Sequence, residues 1–144
     1  MSDKRPPRPS TEAILRISLG DAGISFGGRA VLHVELANSS KRPFTVIESS
    51  AQRSFEIHVV DSHGSEPPLT ESAKIMRHIG RVPDVNFRNF AASVEPGDVL
   101  KADMDIAEAY VLAEPGKYTV TVCRMVTEFG PVLSNAVTLL VRPQ

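Results

Sequence analysis

The sequence predicts an all-β domain, a two-layer sandwich of seven to eight antiparallel strands with one short helix near residues 71–80. Three observations carry this reading. Apolar side chains recur at every second position in several runs, most regularly in Leu100-Lys-Ala-Asp-Met-Asp-Ile106, which is the period of a strand with one wet face. Turn formers such as Glu95-Pro-Gly-Asp98 and Glu114-Pro-Gly-Lys117 punctuate those runs. No stretch carries the apolar pattern of a long helix, so a second sheet is the natural cover for the apolar faces.

Residues 1–12 hold prolines and basic side chains with almost no apolar ones. They lack the means to offset the entropy of ordering and are expected to form a disordered tail ahead of one domain over 13–144. The first strand follows, with Leu15, Ile17 and Leu19 on one face. Ile24-Ser-Phe26, bracketed by Gly23 and Gly27-Gly28, is a short second piece able to switch between sheets, as the opening strand of many sandwiches does. Ala30, Leu32, Val34 and Leu36 share the next inward face, with His33 and Glu35 outward. Phe44–Ile47 and the alternating Phe55, Ile57 and Val59 give two more strands, the second ending at the turn Asp61-Ser-His-Gly64.

The rhythm breaks over residues 65–92. Ile75, Met76 and Ile79 predict one apolar helix face, with Thr70 or Ser72 to cap its start and Gly80 to end it. Strand pattern resumes over Val85 to Val94, with Phe87 and Phe90 out of phase, which implies a bend. After the turn at Pro96-Gly97 comes the strand ending near Ile106. Tyr118, Val120 and Val122 then form an inward face opposite Thr119, Thr121 and Cys123. Gly130-Pro131 separates that strand from a last one at Leu133 to Val141, with Val137, Leu139 and Val141 inward.

Pro115-Gly116-Lys-Tyr118-Thr-Val120 resembles the tyrosine corner of immunoglobulin-like Greek-key sandwiches, in which a tyrosine at the start of the penultimate strand bonds back to the backbone. Gly116 and Tyr118 are its structural residues. Val120 stands where an antibody domain places a cysteine, and the chain has no Trp, so it departs from the antibody type. Val34-Glu-Leu-Ala-Asn-Ser-Ser40, Phe55-Glu-Ile-His-Val-Val-Asp61, Pro96-Gly97, Pro115-Gly-Lys-Tyr118 and Ser134-Asn135 together resemble a bacterial immunoglobulin-like module over about residues 13–143. The layout is also similar to the intracellular proteinase-inhibitor domains of Bacillus type. The first resemblance implies a secreted or periplasmic module if a leader was removed. The second implies protease inhibition through the 65–92 connection.

Sixteen Lys and Arg against seventeen Asp and Glu give a net charge of -1. No global field then draws the chain to nucleic acid, so no nucleic-acid partner is expected. No signal-peptide pattern opens the chain, and no run has the length of a membrane span. A lone Cys123 builds neither an internal disulfide nor a cysteine-rich metal site.

Blue copper is disfavoured because no histidine follows Cys123, and Met125 is only two residues beyond it. His33 and His58, on outward strand positions, are one conceivable zinc pair, but a third ligand at recognisable spacing is missing. Asp103 and Asp105 with Asp61 or Asp98 could hold calcium, yet the outward alternation of a wet sheet already accounts for them. No nucleophile elbow or phosphate-cradling loop is present. The expectation is therefore no enzyme, no cofactor and no metal.

The one local charge feature is Lys74, Arg77, His78 and Arg81, spaced along one helix face, with Arg88 able to extend the stripe. It is a candidate anion or partner surface. The function expected from these residues is a noncatalytic binding or spacer module with an unidentified protein partner. A proteinase-inhibitor domain is the alternative, and a small metal protein or enzyme the second.

Overall fold

The structure, a computed structural model, describes residues 12–25, 27–48, 55–79 and 90–143. Residues 1–11 of the expected tail, Phe26, Gly80 and the start of the Val85–Val94 run lie outside these, whereas Glu12 is described and its carbonyl accepts from Ser39 N at 2.8 Å.

Ten strands are seen among the described residues: β1 (Ala13–Leu19), β2 (Gly23–Ser25), β3 (Val31–Asn38), β4 (Phe44–Glu48), β5 (Phe55–Val60), β6 (Phe90–Val94), β7 (Val99–Asp105), β8 (Gly116–Val126), β9 (Gly130–Leu133) and β10 (Val137–Arg142). One helix, α1, spans Glu71–Ile79, and a 3-10 turn at Ile106–Glu108 replaces the expected last residue of the seventh strand. The tally exceeds seven or eight because the short pieces count separately and the expected final strand is broken in two.

The strands form two facing sheets and a ribbon. One sheet runs β1-β3-β7, the other β2-β10-β8-β5 with β9 also on β8, and β4 pairs with β6. Along the chain β1, β2, β3, β5, β7 and β8 fall alternately in the two main sheets, and because β3 pairs with β7 while β5 pairs with β8 the connections interlock, as in an immunoglobulin-like Greek key. Alternation sets what is buried: Leu15 and Ile17, then Leu32, Val34 and Leu36, face Val120, Val122, Leu139 and Val141 across a continuous core. Each such side chain contributes roughly 1.5 to 3 kcal/mol on burial.

The expected strand switch is present, because β1 lies in one sheet and β2 in the other. Its pairing corrects the expectation that all strands are antiparallel: β2 runs parallel to β10. A chain that leaves one edge of the sandwich to join the opposite sheet without a full reversal arrives parallel to the last strand.

Between Cys123↔Leu133 and Val120↔Val137 in the pairing register, Thr121 and Val122 face Ser134, Asn135 and Ala136, so the final strand carries a one-residue bulge. Ser134 N donates to Val122 O at 2.9 Å, and Ser134 Oγ accepts from Val122 N at 2.8 Å. Asn135 reaches the other sheet, where its Oδ1 accepts from Ile17 N at 2.8 Å and its Nδ2 donates to Ile17 O at 3.1 Å. The bulge shifts the alternation by one: Val132 is buried before it, Leu139 and Val141 after it, and Leu133 is turned outward.

The tyrosine corner is formed. Tyr118 O–H donates to Glu114 O at 2.6 Å, and Gly116 holds φ +142°, a backbone region closed to most L residues. Burial pushes the Tyr118 hydroxyl above its ordinary range. Tyr118→Phe, which removes one neutral hydrogen bond and no volume, is expected to lower unfolding free energy by about 1 kcal/mol, measured by urea denaturation.

Candidate interaction surface

Helix α1 opens where the sequence predicts it. Thr70 Oγ1 accepts from Ala73 N at 3.2 Å as the N-cap and donates to Glu108 O at 2.6 Å, while Thr70 N donates to Ala109 O at 3.0 Å. The helix is thereby fastened at its first turn to the connection that follows β7. Ile75, however, is 57% exposed, which corrects its place on a packed apolar face.

Of the proposed basic stripe, Lys74 is exposed and its Nζ lies 3.2 Å from Glu71 Oε1 one turn back. That pairing offsets the charge Lys74 would offer an anion. Arg77 and His78 fall within α1, whereas Arg81 and Arg88 lie outside the described residues. In the 65–92 connection, the described part is tied down at Leu69, which bridges to Tyr110, and is helical from Glu71 to Ile79.

The weighed metal ligands are kept apart. His33 projects from the outer face of the β1-β3-β7 sheet, where its Nδ1 lies 2.7 Å from Asp103 Oδ1 on β7. His58 projects from the opposite sheet, 4.0 Å from Glu56. Asp61 is spent on the β5 turn, accepting from His63 N and Ser65 N, each at 2.9 Å, and those N–H groups hold its carboxyl below the ordinary range. Asp105 Oδ1 accepts from Ala30 N and Ala107 N, each at 3.0 Å. Among the described residues, no group of three or more His, Cys, Asp or Glu is placed to hold a metal ion. A cleft of about 180 Å³ beside β7 is lined by Arg29, Asp103, Asp105 and Glu108 with Ile57 and Met104.

Cys123 sits half-buried on the outer face of β8, its thiol pushed up chiefly by burial and then by the Glu56 carboxylate. A thiol so placed is mostly protonated near neutral pH and is a weak nucleophile.

Sequence reasoning missed the surface around that cysteine. Outward-facing Cys123 and Met125 on β8 lie opposite Leu133 and Pro131 on β9, and Met125 and Leu133 are 61% and 65% exposed. Away from the hairpin this outer face is mixed: Thr121 lies beside His58, Thr119 between Val60 and Thr138, and Lys117 beside Leu140, which is 41% exposed. The two most exposed apolar side chains of the face, Met125 and Leu133, lie together at the hairpin end. Their signal in the sequence is weak, because Leu133 faces outward only once the bulge at Ser134–Ala136 is known.

No family model matches the chain, and no curated protein matches it. Among solved structures, alkylpurine DNA glycosylase AlkC of Pseudomonas fluorescens, bound to DNA containing an abasic site analog, is similar over 91% of this chain and 30% of its own length, at 16% identity and TM-score 0.47. A β-glucosidase of Erythrobacter marinus is similar over 90% of this chain and 15% of its own, at 14% identity and TM-score 0.48. The chain thus spans less than a third of either enzyme. The CARDB domain of a Pyrococcus furiosus protein, in complex with di-metal ions, is similar over 92% of this chain and 94% of its own, at 8% identity and TM-score 0.48. The neighbours also include the cupredoxin domain of amoB from Nitrosocaldus yellowstonii, another all-β domain. At these scores and identities no activity passes from any of them to this chain, and the fold rests on its own strand pairing. No helix among the described residues is long and apolar enough to cross a membrane.

Proposed function

We propose that the chain is a noncatalytic immunoglobulin-like module of bacterial type that binds another protein through the β8–β9 end of its outer sheet face. The observation that carries this reading is the exposed pair Met125 and Leu133, with Pro131 and Cys123 between them. An outward sheet face gains nothing in folding from such side chains, whereas a partner's apolar surface does gain by covering them. Glu56, beside Cys123 at the margin of the strip, suits a partner with a basic residue at the rim of its apolar patch. The cleft beside β7 is a poorer candidate, since Asp105 is already engaged by Arg29 and the Ala30 N–H, and Asp103 by His33.

The test begins with proteins captured by the wild-type chain, which are identified and then titrated individually against wild type and the double variant M125E/L133E. A bona fide partner should lose at least tenfold in affinity, the scale expected when two central apolar contacts become charged, while the far-ultraviolet circular dichroism stays unchanged. Equal affinity of every captured protein for both chains would refute this surface.

A further inference from the structure

The β4–β6 ribbon is tied to the sandwich by side-chain and main-chain groups along one edge of β4. Thr45 N donates to both carboxylate oxygens of Glu128, at 2.7 and 3.0 Å. Thr45 O accepts from Thr127 N at 3.0 Å, and Ile47 O accepts from Arg124 Nη2 at 3.2 Å. Main-chain groups that a neighbouring strand would satisfy in an ordinary sheet are here satisfied by the turn between β8 and β9 and by one arginine of β8. Phe129 of the same turn meets Phe44 edge-on, with ring centroids 5.9 Å apart.

The ribbon is held differently at the end where it joins β3 and β7. β4 begins shortly after β3 and β6 ends shortly before β7, so both of these covalent connections leave from the same end of the ribbon. Asn38 stands there, its Nδ2 donating to Arg42 O and Val94 O, each at 2.8 Å. Beneath the ribbon, Phe44, Val46 and Val94 are buried. A two-stranded ribbon is marginal in water on its own, so its order depends on these ties, and local opening takes place in contiguous units.

The geometry points to a hinged flap: the β4–β6 ribbon opens as one unit about Asn38, with the Glu128–Thr45 clamp as its latch. Opening uncovers Phe44, Val46 and Val94 and leaves the two main sheets paired. The Thr45 N–H holds the Glu128 carboxyl below its ordinary range, which agrees with an ionised latch at neutral pH. This inference is independent of the binding surface proposed above.

Amide hydrogen exchange by NMR on the full chain tests it, comparing wild type with E128A and E128Q. Glu128 is exposed, so neither variant should unfold the domain. E128A is expected to speed exchange about tenfold in both Phe44–Ile47 and Ala91–Val94, with E128Q between it and wild type because one acceptor oxygen remains. Amides of Leu32–Leu36 and Val120–Val122 should keep their wild-type rates. Unchanged exchange in the ribbon, acceleration of β4 without β6, or uniform acceleration across the domain would each overturn the flap.

Discussion

Replacing Asn38 with alanine is expected to lower the unfolding free energy by about 3 kcal/mol, the cost of stripping several hydrogen bonds from one buried amide. The side chain is 2% exposed. Its Nδ2 serves Arg42 O and Val94 O, and its Oδ1 accepts from Ser40 N at 2.9 Å and Ser40 Oγ at 2.6 Å. The same residue's main chain donates to Asp98 O at 3.0 Å and accepts from Gly97 N at 2.8 Å. One amide therefore stitches the end of β3 to the start of the ribbon and to the turn before β7. Alanine keeps the main-chain bonds and abandons the rest, leaving the Val94 carbonyl in an apolar setting without its donor. Asn38→Asp should cost at least as much, because it sets a carboxylate against two carbonyl oxygens. Denaturant titration of both variants is the measurement. A loss below about 1 kcal/mol for the alanine variant would mean that water replaces the amide, and Asn38 could then be no hinge.

The strands were legible because alternation has one physical cause, an apolar face against a polar one, and the residues at Leu15, Leu32, Val59, Val120 and Leu139 obey it. The tyrosine corner was legible for a related reason: Pro115-Gly116 ahead of Tyr118 imposes a turn, and a buried hydroxyl must find an acceptor. The bulge was not legible. Ser134, Asn135 and Ala136 carry no signature in period-two counting, and their extra residue is required only by pairing with β8 and by Asn135's bonds to Ile17 on another sheet. One slipped residue reverses every later side chain, so the reading that turned Val137 and Leu139 correctly inward left Leu133 without its outward place. The candidate binding strip was hidden by the same slip. Ile75 shows the converse error, since helical spacing reveals a face but not whether anything packs on it. Arg124 was passed over because a charged residue after Cys123 reads as a strand end, whereas β8 continues to Val126 and its parity drives the guanidinium inward.

Arg124→Ala is expected to be the more damaging substitution, costing about 3 to 5 kcal/mol as a buried large-to-small change that also removes a charge from its partners. Arg124 is 1% exposed between Val122 and Val126 on the inward face of β8. Its guanidinium carbon lies 4.4 Å from the centroid of the Phe55 ring on the paired strand β5, and its Nη2 donates to Ile47 O on β4. One side chain thus joins the ring of one strand to the main chain of another, a bridge that needs a flat, weakly hydrated cation with donors in its plane. Lysine keeps the charge but has no plane to stack, and its compact ammonium is costlier to hold away from water. Methionine keeps much of the length and none of the charge. Stability by chemical denaturation should therefore fall in the order wild type, R124M, R124K, R124A. A lysine variant as stable as wild type would show that charge alone is sufficient at this site and that stacking on Phe55 contributes nothing. A methionine variant as unstable as R124A would instead place the whole effect in the guanidinium's hydrogen bonds and not in the volume it fills.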